Sequence, residues 1–193
     1  MEKIKLRGGA LLAPLPPVMV SCGDMEKANI LTVAWTGILN TVPPKTYIAV
    51  RPRRHSHHII KETGEFCVNL VPVNLVRAAD TCGVLTGRKV DKFEKCKLTP
   101  EKCFKISAPA IAESPLTLEC KLREIVPQGS HDMFIADIVA TGVDESLIDE
   151  KGSLHLGRAN LSAFAHGEYF ELGKTIGSFG YSVRKKKKKN IKK

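Results

Sequence analysis

The chain has 193 residues, of which 43% are hydrophobic and 26% charged, the balance of a folded protein rather than a disordered one. Its formal charge of +10 invites a nucleic-acid reading, but the run Arg184–Lys189, with Lys192 and Lys193, carries most of that charge. Without those residues 22 basic side chains face 20 acidic ones, so nucleic-acid binding is not expected, and the chain reads as a domain over 1-183 and a basic, solvated, disordered tail over 184-193.

Taken in chain order, Ala10 to Val20 carries Pro14, Pro16 and Pro17, which makes a poor signal-peptide core. No apolar run approaches the roughly 20 residues that span a bilayer. A cytoplasmic location and no membrane partner are therefore expected. Val18–Cys22, Ile30–Thr36 and Thr46–Val50 are rich in β-branched residues and read as strands. Arg54–Glu62 reads as a helix with Ile59 and Ile60 on its buried side, stopped by Thr63-Gly64. Phe66–Leu70 returns to a strand, and Val73–Cys82 has helical spacing up to Gly83. Thr86–Pro109 is polar and lysine-rich and reads as an irregular surface excursion. Leu116, Leu118, Cys120 and Leu122 then alternate with Thr117, Glu119, Lys121 and Arg123, the period of a half-buried strand. Pro127-Gln128-Gly129-Ser130 supplies a turn, and Met133–Val143 runs back. Beyond that hairpin, the apolar alternation near Gly177–Val183 suggests a terminal strand or latch. The expected fold is mainly β with helical insertions, closer to an antiparallel barrel than to βαβ winding. No GxGxxG or GxxxxGK[ST] motif occurs.

The six cysteines, at 22, 67, 82, 96, 103 and 120, include no CxxC and no zinc spacing, so neither a disulfide framework nor a metal site is expected. Cys82, beside Gly83, is singled out. The densest polar cluster is Arg51-Pro52-Arg53-Arg54-His55-Ser56-His57-His58, at a strand end that opens a helix. Arginine forks, a hydroxyl and free helix N–H groups suit a phosphate; a solvated basic helix start reads the same way. Ala28–Gly37 holds the only tryptophan among small and hydroxylated residues. It suits either an ordinary core strand or a backbone edge for a flat heterocycle. No nucleophile–base triad is visible, and the catalytic residues are left open.

Asn29-Ile30-Leu31-Thr32-Val33-Ala34-Trp35, Pro52-Arg53-Arg54-His55-Ser56-His57-His58-Ile59-Ile60 and Glu65-Phe66-Cys67-Val68-Asn69 follow in that order. Cys82-Gly83, Thr86-Gly87-Arg88-Lys89-Val90-Asp91-Lys92-Phe93, His131-Asp132-Met133-Phe134-Ile135-Ala136-Asp137-Ile138 and Tyr169-Phe170-Glu171-Leu172-Gly173 continue the series. Together they resemble the flavin reductase-like, FMN-binding family. The resemblance implies an antiparallel split β-barrel (Greek key), a homodimer, and FMN held without a covalent bond near the subunit interface. It implies that Thr32, Val33, Ala34, Trp35 and Thr36 line the flavin ring and ribityl chain. Arg54, Ser56 and His57 would take the phosphate, with Lys92 a further cation. Cys82 and Gly83 would lie against the flavin, and His131 near it. Position 57 departs from the aromatic residue expected of the family.

The resemblance further implies an oxidoreductase in which NAD(P)H, as a transient co-substrate, reduces FMN, and the electrons pass to a free flavin, a ferric complex or a redox protein. The alternative is an FMN-binding electron carrier with no NAD(P)H-dependent turnover of its own.

Overall fold

The computed structural model describes residues 1–184; the basic tail expected from Lys185 onward lies outside the described residues. Strands β1 (Val18–Cys22), β2 (Asn29–Val33), β3 (Thr36–Thr41) and β4 (Pro44–Val50) lead into helix α1 (His55–Thr63) and strand β5 (Glu65–Leu70). Helices α2 (Val76–Val84) and α3 (Lys92–Cys96) follow, then the two-residue pair β6 (Pro100–Glu101) and β7 (Ala110–Ile111). The long strands β8 (Leu116–Pro127) and β9 (Asp132–Val143) form the expected hairpin, and β10 (Ser162–Ala165) pairs with β11 (Glu168–Glu171).

One antiparallel sheet runs in the order β2-β1-β5-β8-β9-β4-β3. Its two edge strands are consecutive in the chain, separated only by Ala34 and Trp35, so the sheet must curl until its edges meet. The expected single strand through Thr36 is therefore broken at a barrel corner. There the Thr36 N–H donates to the Ala34 carbonyl at 3.2 Å and the Ala49 N–H to the Trp35 carbonyl at 2.9 Å. This is a mainly β split barrel with helical insertions.

The barrel interior holds Val18, Val20, Leu31, Val33, Phe66 and Phe134 among its buried residues. The alternate side chains Met19 and Ile30 point outward but are covered by α2 and α3, in a second core with Leu75, Ala79, Cys82 and Phe93. Both faces of β1 are thus buried, so it reads as an unbroken apolar run. Helix α1 lies against the barrel through Ile60 and stops where Gly64 takes a left-handed φ of 68°, a backbone state that glycine adopts without steric cost.

The Thr86–Pro109 stretch departs from expectation. It contains α3, capped by the Asp91 carboxylate on the Glu94 N–H at 3.1 Å, and it buries Phe93, Leu98, Cys103 and Ile106. Its return path covers the "polar" face of β8, so Thr117 and Glu119 are buried rather than solvated. The Glu119 carboxylate accepts the Phe104 and Lys105 N–H groups at 2.8 and 2.7 Å, which satisfies a charge that burial would otherwise penalise. The residues before Val183 form a short 3-10 turn rather than a strand. Among the described residues no helix is long and apolar enough to cross a membrane.

Candidate functional site

Two hollows meet at the barrel corner. The first, of about 320 Å³, lies along Leu31–Trp35, against Ala49–Arg51, Arg54 and His131. The second, of about 220 Å³, lies between the entry to α1 (Arg53 and Arg54 before it, His55 and Ser56 in its first turn), the loop Leu85–Gly87 and Lys92. Leu31 and Arg54 line both, so the Arg54 side chain stands at their junction. Its Nη1 donates to the Gly83 carbonyl at 2.9 Å, which leaves the rest of the guanidinium fork for a ligand.

The second hollow is built for an anion. Lys92 is buried, with Nζ donating to the carbonyls of Ile30 at 2.6 Å and Cys82 at 2.7 Å. An ammonium has three N–H donors, so one is left over. Burial lowers the Lys92 pKa. Ser56 Oγ accepts from Asn29 Nδ2 at 2.6 Å, which leaves its own O–H to donate. Next to it His55 Nδ1 is buried without a hydrogen-bond partner. Burial, and then the charges of His58, Arg88 and Lys92, lowers the His55 pKa, so the free ring is neutral at pH 7. The opening turn of α1 adds unpaired N–H groups and the positive end of the helix dipole. Among the described residues no carboxylate is within ion-pair distance of Arg51, Arg53, Arg54 or Lys92. Gly87 closes the hollow from the far side: a Cβ there would overlap Asn29 Oδ1 and lie 3.0 Å from His55 Cδ2. A phosphate would supply the missing counter-charge to Arg53, Arg54 and Lys92, so the donor set fits the phosphate of FMN.

The first hollow is a slot rather than a charged cup. Trp35, 40% exposed, holds its ring centroid 4.5 Å from that of His131. His131 Nε2 accepts from Arg51 Nε at 3.3 Å, so Nδ1 carries the proton and donates to Ser130 Oγ at 2.9 Å. Burial, and then Arg51 and Arg54, lowers the His131 pKa and keeps this ring neutral. The Leu31–Trp35 backbone forms the remaining wall.

Of the residues expected from the sequence, Thr32, Val33, Ala34, Trp35, Arg54 and His131 line the first hollow, and Arg54, Ser56 and Lys92 the second. Four are placed differently. Thr36 turns its hydroxyl to the Tyr47 carbonyl at 2.6 Å and fastens the barrel corner instead of lining the slot. His57 lines neither hollow; its Nε2 lies 2.7 Å from Asp132 Oδ2, and its ring meets Phe134 edge-on. Two residues on, a helix turns its side chain away from the face that carries His55. The Cys82 thiol points into the second core, 3.8 Å from Cys96 Sγ, and burial pushes its pKa up to about 12. Cys82 and Gly83 reach the site only through their carbonyls, held by Lys92 and Arg54. The sequence reading assigned no separate role to Leu31, His55 or the Leu85–Gly87 loop, and took Arg51 and Arg53 only as cations of the phosphate cluster. Arg51 and His55 stood in the singled-out cluster, and Gly87 in the quoted motif, but only the folded register shows which of them converge.

A larger hollow of about 740 Å³ lies beyond His55 and Gly87. Asp24, Glu26, Glu62 and Asp91 line it together with cations, which suits a dianion less well than the second hollow.

Residues 12–172 match the family described as the flavin reductase like domain. An uncharacterized protein of Archaeoglobus fulgidus is 31% identical over 144 residues, 75% of this chain and 81% of its own. Among solved structures, flavoredoxin of Desulfovibrio vulgaris superposes with a TM-score of 0.88 at 28% identity, covering 95% of this chain and 100% of its own. Flavoredoxin from Methanosarcina acetivorans superposes with a TM-score of 0.86 at 25% identity over the same shares of the two chains.

Proposed function

This chain belongs to the flavin reductase-like family, and from that premise we propose that it binds FMN non-covalently and works as an NAD(P)H-dependent oxidoreductase. The observation that carries the reading is the junction at Arg54, where a flat slot walled by Trp35 and His131 runs into a cup of unpaired cations. A ring system with a phosphate at the end of a short chain matches that pair of hollows.

Bound FMN would take up hydride from a reduced nicotinamide and hand electrons on to a flavin, a ferric complex or a redox protein. The residues of this chain bind and orient it. Arg54, Ser56, His55 and Lys92 hold the phosphate and so fix how far the ring enters the slot. The Leu31–Trp35 backbone offers N–H and C=O groups to the edge of the ring. Neutral His131, steadied by Arg51 and Ser130, keeps the slot free of an additional fixed charge.

The acting unit in this reading is a homodimer. Ile176, Phe179 and Val183 are 95, 104 and 83% exposed, and Ile38 and Val42 on the β3–β4 hairpin are also exposed, which a second copy would cover. Six free cysteines fit a reducing cytoplasm.

The visible spectrum of the purified protein, the flavin released on denaturation and steady-state oxidation of NADH or NADPH test the reading. Flavin bands, released FMN and turnover that rises with added acceptor are expected. Bound FMN with no nicotinamide oxidation would leave the electron-carrier alternative. A colourless protein that takes up no FMN would end both.

A further inference from the structure

We propose that Cys82 and Cys96 form a reversible dithiol–disulfide site that fastens helix α3, and with it Lys92, onto helix α2 behind the phosphate cup. The two sulfurs lie 3.8 Å apart across the contact between these helices. A disulfide of about 2.05 Å needs an approach of roughly 1.8 Å. Cys96 is the last residue of α3, and the exposed Lys97 that follows it takes a left-handed φ of 54°.

The two thiols are not equivalent. Cys96 is half-buried, whereas Cys82 is fully buried and its thiol holds its proton to about pH 12. Cys96 is therefore the entry point and Cys82 the resolving partner. With a low-molecular-weight disulfide as oxidant, the Cys96 thiolate attacks one sulfur and releases one thiolate. Cys82 then gives up its proton and attacks the Cys96 sulfur of the mixed disulfide, releasing the second. Two protein thiols are oxidised, one external disulfide is reduced to two thiols, and the two protons pass to the leaving thiolates. The Lys92 ammonium, on the Cys82 carbonyl, favours the Cys82 thiolate in the second step.

Lys92 lies one turn before Cys96 on α3 and already binds the Cys82 carbonyl, so the disulfide would duplicate a contact between the same two elements. That part of the inference rests on reading Lys92 as a phosphate contact. A second thiol pair, Cys67 and Cys103 at 3.9 Å, is buried in a separate core, with Cys103 at the edge of a hollow of about 300 Å³, and it serves as an internal comparison.

The test is to incubate the reduced, full-length protein with oxidised glutathione under native conditions, then count thiols and map linked peptides. Loss of two thiols per chain, a Cys82–Cys96 linkage and reversal by a dithiol reductant are expected. Cys82→Ala, which keeps apolar packing, should stop at a glutathione adduct on Cys96. Cys96→Ser should abolish the reaction, and Cys67→Ser should leave it unchanged. The linked protein should melt roughly 5–10 °C higher and release FMN several-fold more slowly. Six retained thiols, or a Cys67–Cys103 linkage instead, would overturn the site. A Cys82–Cys96 linkage that moves neither melting temperature nor FMN release would overturn the fastening of Lys92. Linkage with higher stability in a protein that binds FMN in neither state would leave the dithiol site intact and count against the phosphate cup.

Discussion

His57 Nε2 lies 2.7 Å from Asp132 Oδ2, joining the first turn of α1 to the first residue of β9. The side chains are only 12 and 17% exposed, and Phe134 packs edge-on against the imidazole. The neighbours of this pair are the site: Ser56 precedes His57, and His131 precedes Asp132. The contact therefore holds the cup and the slot wall in mutual register without touching either ligand space. His57→Ala should lower stability by about 1–3 kcal/mol, the cost of stranding a buried polar partner. Its preference for FMN over riboflavin should survive. Chemical denaturation and flavin titration of the same sample check this; a lost preference at unchanged stability would return His57 to the phosphate site.

Arg54 bridges the two hollows, and its loss should be felt in binding rather than in folding. Arg54→Ala is expected to weaken FMN by about 1.5–3 kcal/mol, the range for hydrogen bonds to charged groups, and Ser56→Ala by less. Fluorescence quenching on titration with FMN reads both. Melting temperatures should stay within a few degrees of the parent, because Arg54 is exposed and its guanidinium bonds the Gly83 carbonyl alone among the described residues.

Much of this framework was legible in the sequence. The β8–β9 hairpin declared itself by strict alternation and a Pro-Gln-Gly-Ser turn, and α1 by its Ile59-Ile60 face and Gly64. Burial of Glu119 was not legible, because alternation reports only one covered face and the second cover comes from a loop distant in sequence. Helix α3 was hidden for a related reason. Phe93 and Leu98 are isolated apolar residues among lysines, and only the outward-facing Met19 and Ile30 of the barrel give them a surface to bury against. The phosphate cluster was visible as a composition, but which of Arg54, His55, Ser56 and His57 converge depends on the helix turning each side chain by about 100°.

Gly87 offers a test of the cup's far wall. In Gly87→Ala the new methyl carbon would overlap Asn29 Oδ1, at 2.9 Å from Cγ, and push the amide from its bond to Ser56. FMN affinity should fall by at least about tenfold, the equivalent of one charge-assisted bond. Calorimetric titration measures it. An unchanged affinity would mean that Asn29 and Ser56 do not shape the site.

Both neutral histidines of the site make the flavin-free protein acid-sensitive. Their folded pKa values lie below the unfolded value of about 6.5. The unfolded chain therefore binds more protons, and stability is lost as pH falls below that value. His55→Gln combined with His131→Gln should flatten melting temperature between about pH 7 and 5. Asp149, whose pKa is lowered to about 2 by its bond to His155, loses its contribution only in a lower window, so the two effects separate.

Truncation separates the apolar end of the domain from the basic run. Removing residues 184–193 should leave FMN affinity unchanged, since the cup's cations come from the turn before α1 (Arg53, Arg54) and from α3 (Lys92). Cutting after Thr175 removes exposed Ile176, Phe179 and Val183 and should convert a dimer of about 42 kDa to monomer. Light scattering distinguishes the two; a parent chain that is already monomeric would remove the paired-subunit reading.

The central claim is that the cup between α1 and Lys92 holds a phosphate and so selects FMN. Equilibrium titration of the flavin-free protein with FMN and with riboflavin, at one ionic strength and pH, tests it most directly. Two or more charge-assisted hydrogen bonds predict FMN tighter by at least about 100-fold. Equal affinity for the two flavins would contradict the account.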